Sequence, residues 1–157
     1  MKLKMKNTPS SAVRIDLLVW VPSQKRFVIM PTVLDTGASI TILDAELANI
    51  LDIKPDKKLG LRTATAAGII TLSTGILPKI IIGNMAISDT PIAISNLPKE
   101  LEVRCVLGMN VLREFLVEID SLNKNITLTK QPLPKKFYKE GYSISMLNDG
   151  FDDAREA

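Results

Sequence analysis

Val13, Ile15, Leu17 and Val19 alternate with Arg14, Asp16, Leu18 and Trp20. A period of two predicts a strand with one buried face. Residues 22–26 then read as a turn and residues 27–34 as the returning strand, a hairpin that runs into Asp35-Thr36-Gly37-Ala38-Ser39. After a short apolar run at 40–43, residues 44–51 form the best helix candidate. Asp44 is placed to cap it, with Leu47, Ile50 and Leu51 on one face. Residues 54–58 are a polar connection, and residues 63–73 predict two short strands around Ala66-Ala67-Gly68. Further strands are predicted at 76–82, 86–88 and 92–94, broken by Gly83-Asn84 and by Pro91. Residues 96–100 read as a loop, and residues 103–107 as a buried strand ending at Gly108. A short helix is predicted at 110–114, and residues 115–119 are expected to pair with 126–129.

The pattern is mainly that of strands, which predicts an all-β domain. Composition narrows what such a domain could do. Hydrophobic residues at 46% of the 157-residue chain suffice for one core. Lys and Arg total 20 against 17 Asp and Glu, a balance too even for a nucleic-acid surface. Histidine is absent, which removes Ser-His and Cys-His nucleophile pairs and His-bearing zinc sites. The single cysteine, Cys105, excludes an intrachain disulfide and reads as a small buried apolar residue. The lysines at positions 2, 4 and 6 are not followed by an apolar signal segment, and no apolar run has membrane-spanning length. A soluble, cytoplasmic protein is expected, with neither nucleic acid nor membrane as partner.

One segment carries chemistry. Val33-Leu34 delivers the Asp35 carboxylate into a tight turn, where Gly37 permits close backbone approach. Asp, Thr and Gly are all turn formers, and the bare triplet occurs by chance in roughly a few per cent of chains this long. Its flanks and its distant companions add meaning.

The run Val33 to Ser39 resembles the active-site segment of retropepsin-like (retroviral-type) aspartic peptidases, in a single-domain, prokaryotic-like form. Val106-Leu107-Gly108-Met109-Asn110-Val111-Leu112 is similar to the second signature of that family, in which a strand threads behind the catalytic loop. Residues 62–72 lie where the family places its flap, with Ala66, Ala67 and Gly68 at the tip. The resemblance covers residues 11–130. It implies a closed-barrel acid-protease fold with one or two short helices, flanked by an N-terminal extension at 1–10 and a C-terminal extension at 131–157.

The implied chemistry needs two carboxylates about 3 Å apart that share one proton. One accepts a proton from water while the other polarises the scissile carbonyl. The sequence supplies one Asp-Thr-Gly, so the resemblance implies a homodimer with Asp35 from each subunit, acting on a polypeptide without metal or cofactor. Thr36 is implied to hydrogen-bond across the two-fold axis, and Gly37 to present its carbonyl to substrate. Ala38 stands where two-lobed pepsin-like enzymes usually carry a hydroxyl donor, which implies a higher pH optimum than theirs. Ser39 and Met109 depart from an aspartate and an arginine that commonly pair in the retroviral enzymes, so substrate contacts at Ser39 are the least transferable. Two other readings fit the same residues. One is a catalytically idle dimer of this fold serving as a binding or scaffold module; the other is an unrelated all-β binding protein. After residue 130 the composition changes: Phe137, Tyr138, Tyr142 and Phe151 lie there, and acids gather from Asp149 onward. That segment reads as a partly ordered tail, or as one whose aromatics dock on the body or a second subunit.

Overall fold

A computed structural model describes residues 1–7, 12–65 and 68–132; the expected flap-tip residues Ala66 and Ala67 and almost all of the C-terminal extension lie outside them. The chain runs through β1 (Lys2–Lys4), β2 (Arg14–Val21), β3 (Arg26–Leu34), β4 (Thr41–Asp44) and α1 (Ala45–Ile50). It continues through β5 (Asp56–Thr65), β6 (Gly68–Ile82), β7 (Met85–Ser95), β8 (Cys105–Leu107), α2 (Met109–Leu112), β9 (Phe115–Asp120) and β10 (Asn125–Lys130).

The larger sheet has the order β2-β3-β8-β4-β7-β6-β5, and β2 also pairs with β6 through Leu18↔Ile81 and Val19↔Ile80. That extra pairing closes six strands into a barrel and leaves β5 as an outer extension of β6. The alternation that predicted β2 is the reason closure works. Ile15, Leu17, Val19 and Val21 are almost fully buried inside, in one core with Met30, Leu77, Ile80 and Leu107. Each such side chain contributes about 1.5–3 kcal/mol by leaving water. A second sheet, β1-β10-β9, joins the N-terminal strand to the β9–β10 hairpin. Lys2–Lys4, within the segment expected as an extension, thus supply an edge strand. Leu3 pairs with Ile126, and the Met1 ammonium donates to the Leu128 carbonyl at 2.9 Å.

Three local expectations need correction. Asp44 precedes α1, but its side chain does not cap it. The carboxylate instead accepts from the Leu97 N–H at 3.1 Å and from the Arg104 guanidinium at 2.8 Å. Those groups come from residues remote in sequence, so local capping loses to a tertiary contact. Within α1 the buried positions are Leu47 and Ala48, followed by Leu51; Ile50 is 48% exposed. The helix is so short that one face is filled by three residues. Finally, Gly83-Asn84 separates β6 from β7 as expected, but β7 is continuous through Pro91, where a break was expected. Pro91 sits within β7 opposite Ile76, while the ladder to β4 starts one residue later at Ile92. A missing N–H therefore costs little there.

Candidate active site

β3 carries the candidate carboxylate to the end of the barrel. The Leu34 N–H donates to the Val13 carbonyl at 2.8 Å, and one residue on the Asp35 N–H donates to the Leu107 carbonyl at 3.0 Å. The chain then turns: the Ala38 N–H reaches the Asp35 carbonyl at 3.3 Å, and the Gly37 N–H donates to Asp35 Oδ1 at 2.8 Å. The carboxylate is thus held against its own turn by a backbone donor. A Cβ at Gly37 would stand 3.2 Å from that same oxygen, so a larger residue would crowd it. Asp35, Thr36, Gly37 and Ser39 are exposed in the single chain, and Ala38 is half-buried.

The turn is braced from behind by the run 105–110. β8 lies parallel to β3 (Thr32↔Cys105 to Leu34↔Leu107) and antiparallel to β4 (Ile42↔Val106, Leu43↔Cys105). Beyond it, the Met109 N–H donates to the Ala38 carbonyl at 2.7 Å and the Asn110 N–H to the Ser39 carbonyl at 3.1 Å. Ser39 and Met109 carry no charge to pair with each other, yet the two segments remain tied through main chain.

Gly108 makes this approach possible. A Cβ there would lie 2.5 Å from both the carbonyl carbon and oxygen of Ile40, and 2.9 Å from the Ala38 oxygen. Its φ of −97° is open to any residue, so the requirement is space rather than conformation.

Two residues that sequence reasoning passed over hold the same region. Asn110 Oδ1 accepts from both the N–H and the hydroxyl of Thr41, each at 2.8 Å, and its amide donates to the Pro91 carbonyl at 2.8 Å. The Thr41 oxygen in turn accepts from the Gly108 N–H at 3.1 Å. Asn110 therefore links the start of α2 to β4 and β7 directly beneath the turn. Arg104, beside Asp44 and Glu46, has its guanidinium pKa raised, first by the Glu46 hydrogen bond and then by that of Asp44. The only signal for these roles was a polar residue amid apolar neighbours, which does not identify a partner.

The expected flap is the hairpin of β5 and β6, whose outermost described pair is Thr65↔Gly68. Gly68 has φ of +119°, a conformation reserved for glycine. Beside it Ile69 and Ile70 are largely exposed. Among the described residues no group of His, Cys, Asp or Glu is placed to hold a metal ion, and no helix is long and apolar enough to cross a membrane.

Cys105 is fully buried in β8, and burial pushes its thiol up to about 12 against a small opposing hydrogen bond with Thr32. Alkylation at about pH 8 should run at least about 100-fold slower in the folded protein than in urea. The native thiol keeps its proton where the unfolded one loses it. Stability should therefore fall as pH rises from 9.0 toward about 12. A rapidly alkylated native thiol would contradict this placement.

The closed barrel with its braced turn is the fold of retropepsin-like aspartic proteases. A retropepsin-like aspartic protease from Rickettsia conorii superposes with a TM-score of 0.55 at 21% identity, covering 82% of this chain and 90% of that one. The protease of EIAV, solved with the inhibitor HBY-793, gives 0.49 at 18% identity over 69% of this chain and 91% of that one. The retroviral protease-like domain of Ddi1 from Leishmania major gives 0.46 at 14%, over 83% and 99% respectively. Residues 28–114, more than half of the chain, match the family described as gag-polyprotein putative aspartyl protease. The chain belongs to that family. No curated protein matches it in sequence.

Proposed function

We propose that the protein is a homodimeric aspartic endopeptidase in which Asp35 of each subunit supplies half of one catalytic pair. The observation that carries this reading is an exposed carboxylate at the end of the barrel, fixed by Gly37 and braced by Gly108. One such turn per chain is half of a two-carboxylate site, and a two-fold axis beside Asp35 completes it. With both carboxylates close, one proton is shared. The ionised partner then takes a proton from water, while the protonated one donates toward the scissile carbonyl. Thr36 lies at the exposed rim of the turn and is assigned the hydrogen bond across the axis. Gly37, Ala38 and Ser39 border the substrate strand, and the β5–β6 hairpin closes over it. The exposed Ile69 and Ile70 offer that strand apolar surface.

Cleavage of a mixed peptide library, with and without a pepstatin-type inhibitor, tests the reading. Inhibitable cleavage whose specific activity falls on dilution is the expected result. A stable dimer that cleaves nothing would make the protein a binding module instead. The assignment of Thr36 makes a separate prediction. Thr36→Ala should weaken the dimer about tenfold, the cost of an unpaired buried partner, while leaving monomer stability nearly unchanged. An unchanged dissociation constant in sedimentation equilibrium would refute that role.

A further inference from the structure

Alternation in β2 buries Leu17 and Val19, which turns Leu18 and Trp20 outward. Solvent-facing positions of an antiparallel sheet are ordinarily polar. Here they are not. Leu18 pairs with Ile29 on β3 and with Ile81 on β6, while Trp20 pairs with Phe27. The Trp20 and Phe27 rings meet edge-on with centroids 5.1 Å apart, and Ile29 is 65% exposed. The outside of the barrel thus carries a continuous apolar strip of the kind that marks an interaction site.

Its rim is basic. Lys79 Nζ lies 5.7 Å from the Phe27 ring centroid, and Lys25 stands in the turn two residues before Phe27. The acid on this face, Asp16, lies beside Pro31 at the other end of the strip and is engaged by Lys6 at 3.3 Å. An occupant should therefore carry an apolar or aromatic side chain among acids. Residues 147–156 of the same chain read Leu-Asn-Asp-Gly-Phe-Asp-Asp-Ala-Arg-Glu, with Phe151 set among Asp149, Asp152 and Asp153. Length permits the contact. The chain from Pro132 to Phe151 spans up to about 60 Å when extended, whereas a body of this size is roughly 35 Å across.

We propose that the acidic segment around Phe151 docks in cis on the Trp20–Phe27–Ile29 face, its carboxylates set against Lys79 and the Lys25 of the adjoining turn. Tethering favours this occupant over a second copy, because a segment on the same chain is present at high effective concentration.

Trp20 is the chain's single tryptophan, so its fluorescence reports on this face alone. The test measures acrylamide quenching of the full chain, which needs no peptidase activity. A negative result here leaves the proposed catalysis untouched. The variant Phe151→Ser/Asp152→Lys/Asp153→Lys should raise the quenching constant about twofold, as should raising salt from about 50 to about 500 mM. Reversing the rim with Lys25→Asp and Lys79→Asp should restore shielding to an Asp152→Lys/Asp153→Lys chain. Far-UV circular dichroism should stay unchanged in the segment variants. In the unaltered chain, quenching should be equal at about 0.5 and about 50 µM protein, as tethering requires. Quenching indifferent to the segment variants overturns the proposal. Shielding that grows with protein concentration also overturns it and assigns the face to a second copy.

Discussion

Asp35→Asn should lower kcat/KM at least about 10³-fold on any peptide the wild type cleaves, with fold and dimer retained. The substitution is nearly isosteric, and the amide oxygen can still accept the Gly37 N–H that holds Asp35 Oδ1 at 2.8 Å. Exposure of the side chain in the single subunit means that no buried charge is left without a partner. What disappears is the ability to hold and release a proton. An amide cannot act as the base toward water. The measurement is kcat/KM for both proteins on one peptide, with sedimentation and circular dichroism on the same samples. Substantial activity in a clean preparation of the Asp35→Asn variant would exclude the carboxylate mechanism. Loss of activity together with loss of the dimer would instead assign Asp35 a structural part.

Gly108→Ala should cost about 3–5 kcal/mol of stability, among the largest effects any single methyl group could have here. The added Cβ would overlap the Ile40 carbonyl carbon and oxygen at 2.5 Å and the Ala38 oxygen at 2.9 Å. These are backbone atoms, so no side-chain rotation relieves the clash. The segments must separate, and separation breaks the hydrogen bonds from Met109 to Ala38 and from Asn110 to Ser39. Urea titration reads the loss directly. A midpoint equal to that of the wild type would mean that the turn and its brace are not packed as described.

Much of the architecture was legible because one signal, alternation, was strong and local. β2, β3, the β9–β10 pair and the buried strand at β8 follow from apolar periodicity, and Val33 to Gly37 stood out as a strand feeding a turn. Less legible were features whose causes lie far away in the chain. Asp44 looked like a cap because its partners, Leu97 and Arg104, are invisible in a local window. Pro91 looked like a strand break because its position relative to the β4 ladder is a fact of pairing, not of sequence. Gly108 was readable as a motif glycine, but the reason, the Ile40 backbone beside it, appears only after folding. Asn110 offered no pattern, since its partners Thr41 and Pro91 sit on two other strands.

The insertion of β8 between β3 and β4 also sets an order of events. Asp35 donates its N–H to Leu107, and Ala38 and Ser39 accept from Met109 and Asn110, across a long separation in sequence. Closing a loop of that length costs chain entropy before any of these bonds can offset it. A chain emerging from the ribosome therefore exposes its Asp-Thr-Gly turn well before the residues that brace it exist. The turn reaches its native hydrogen-bond set only after residue 110 has been made. For a chain proposed to cut polypeptides, assembly of the cutting edge is thereby deferred until most of the molecule has left the site of synthesis.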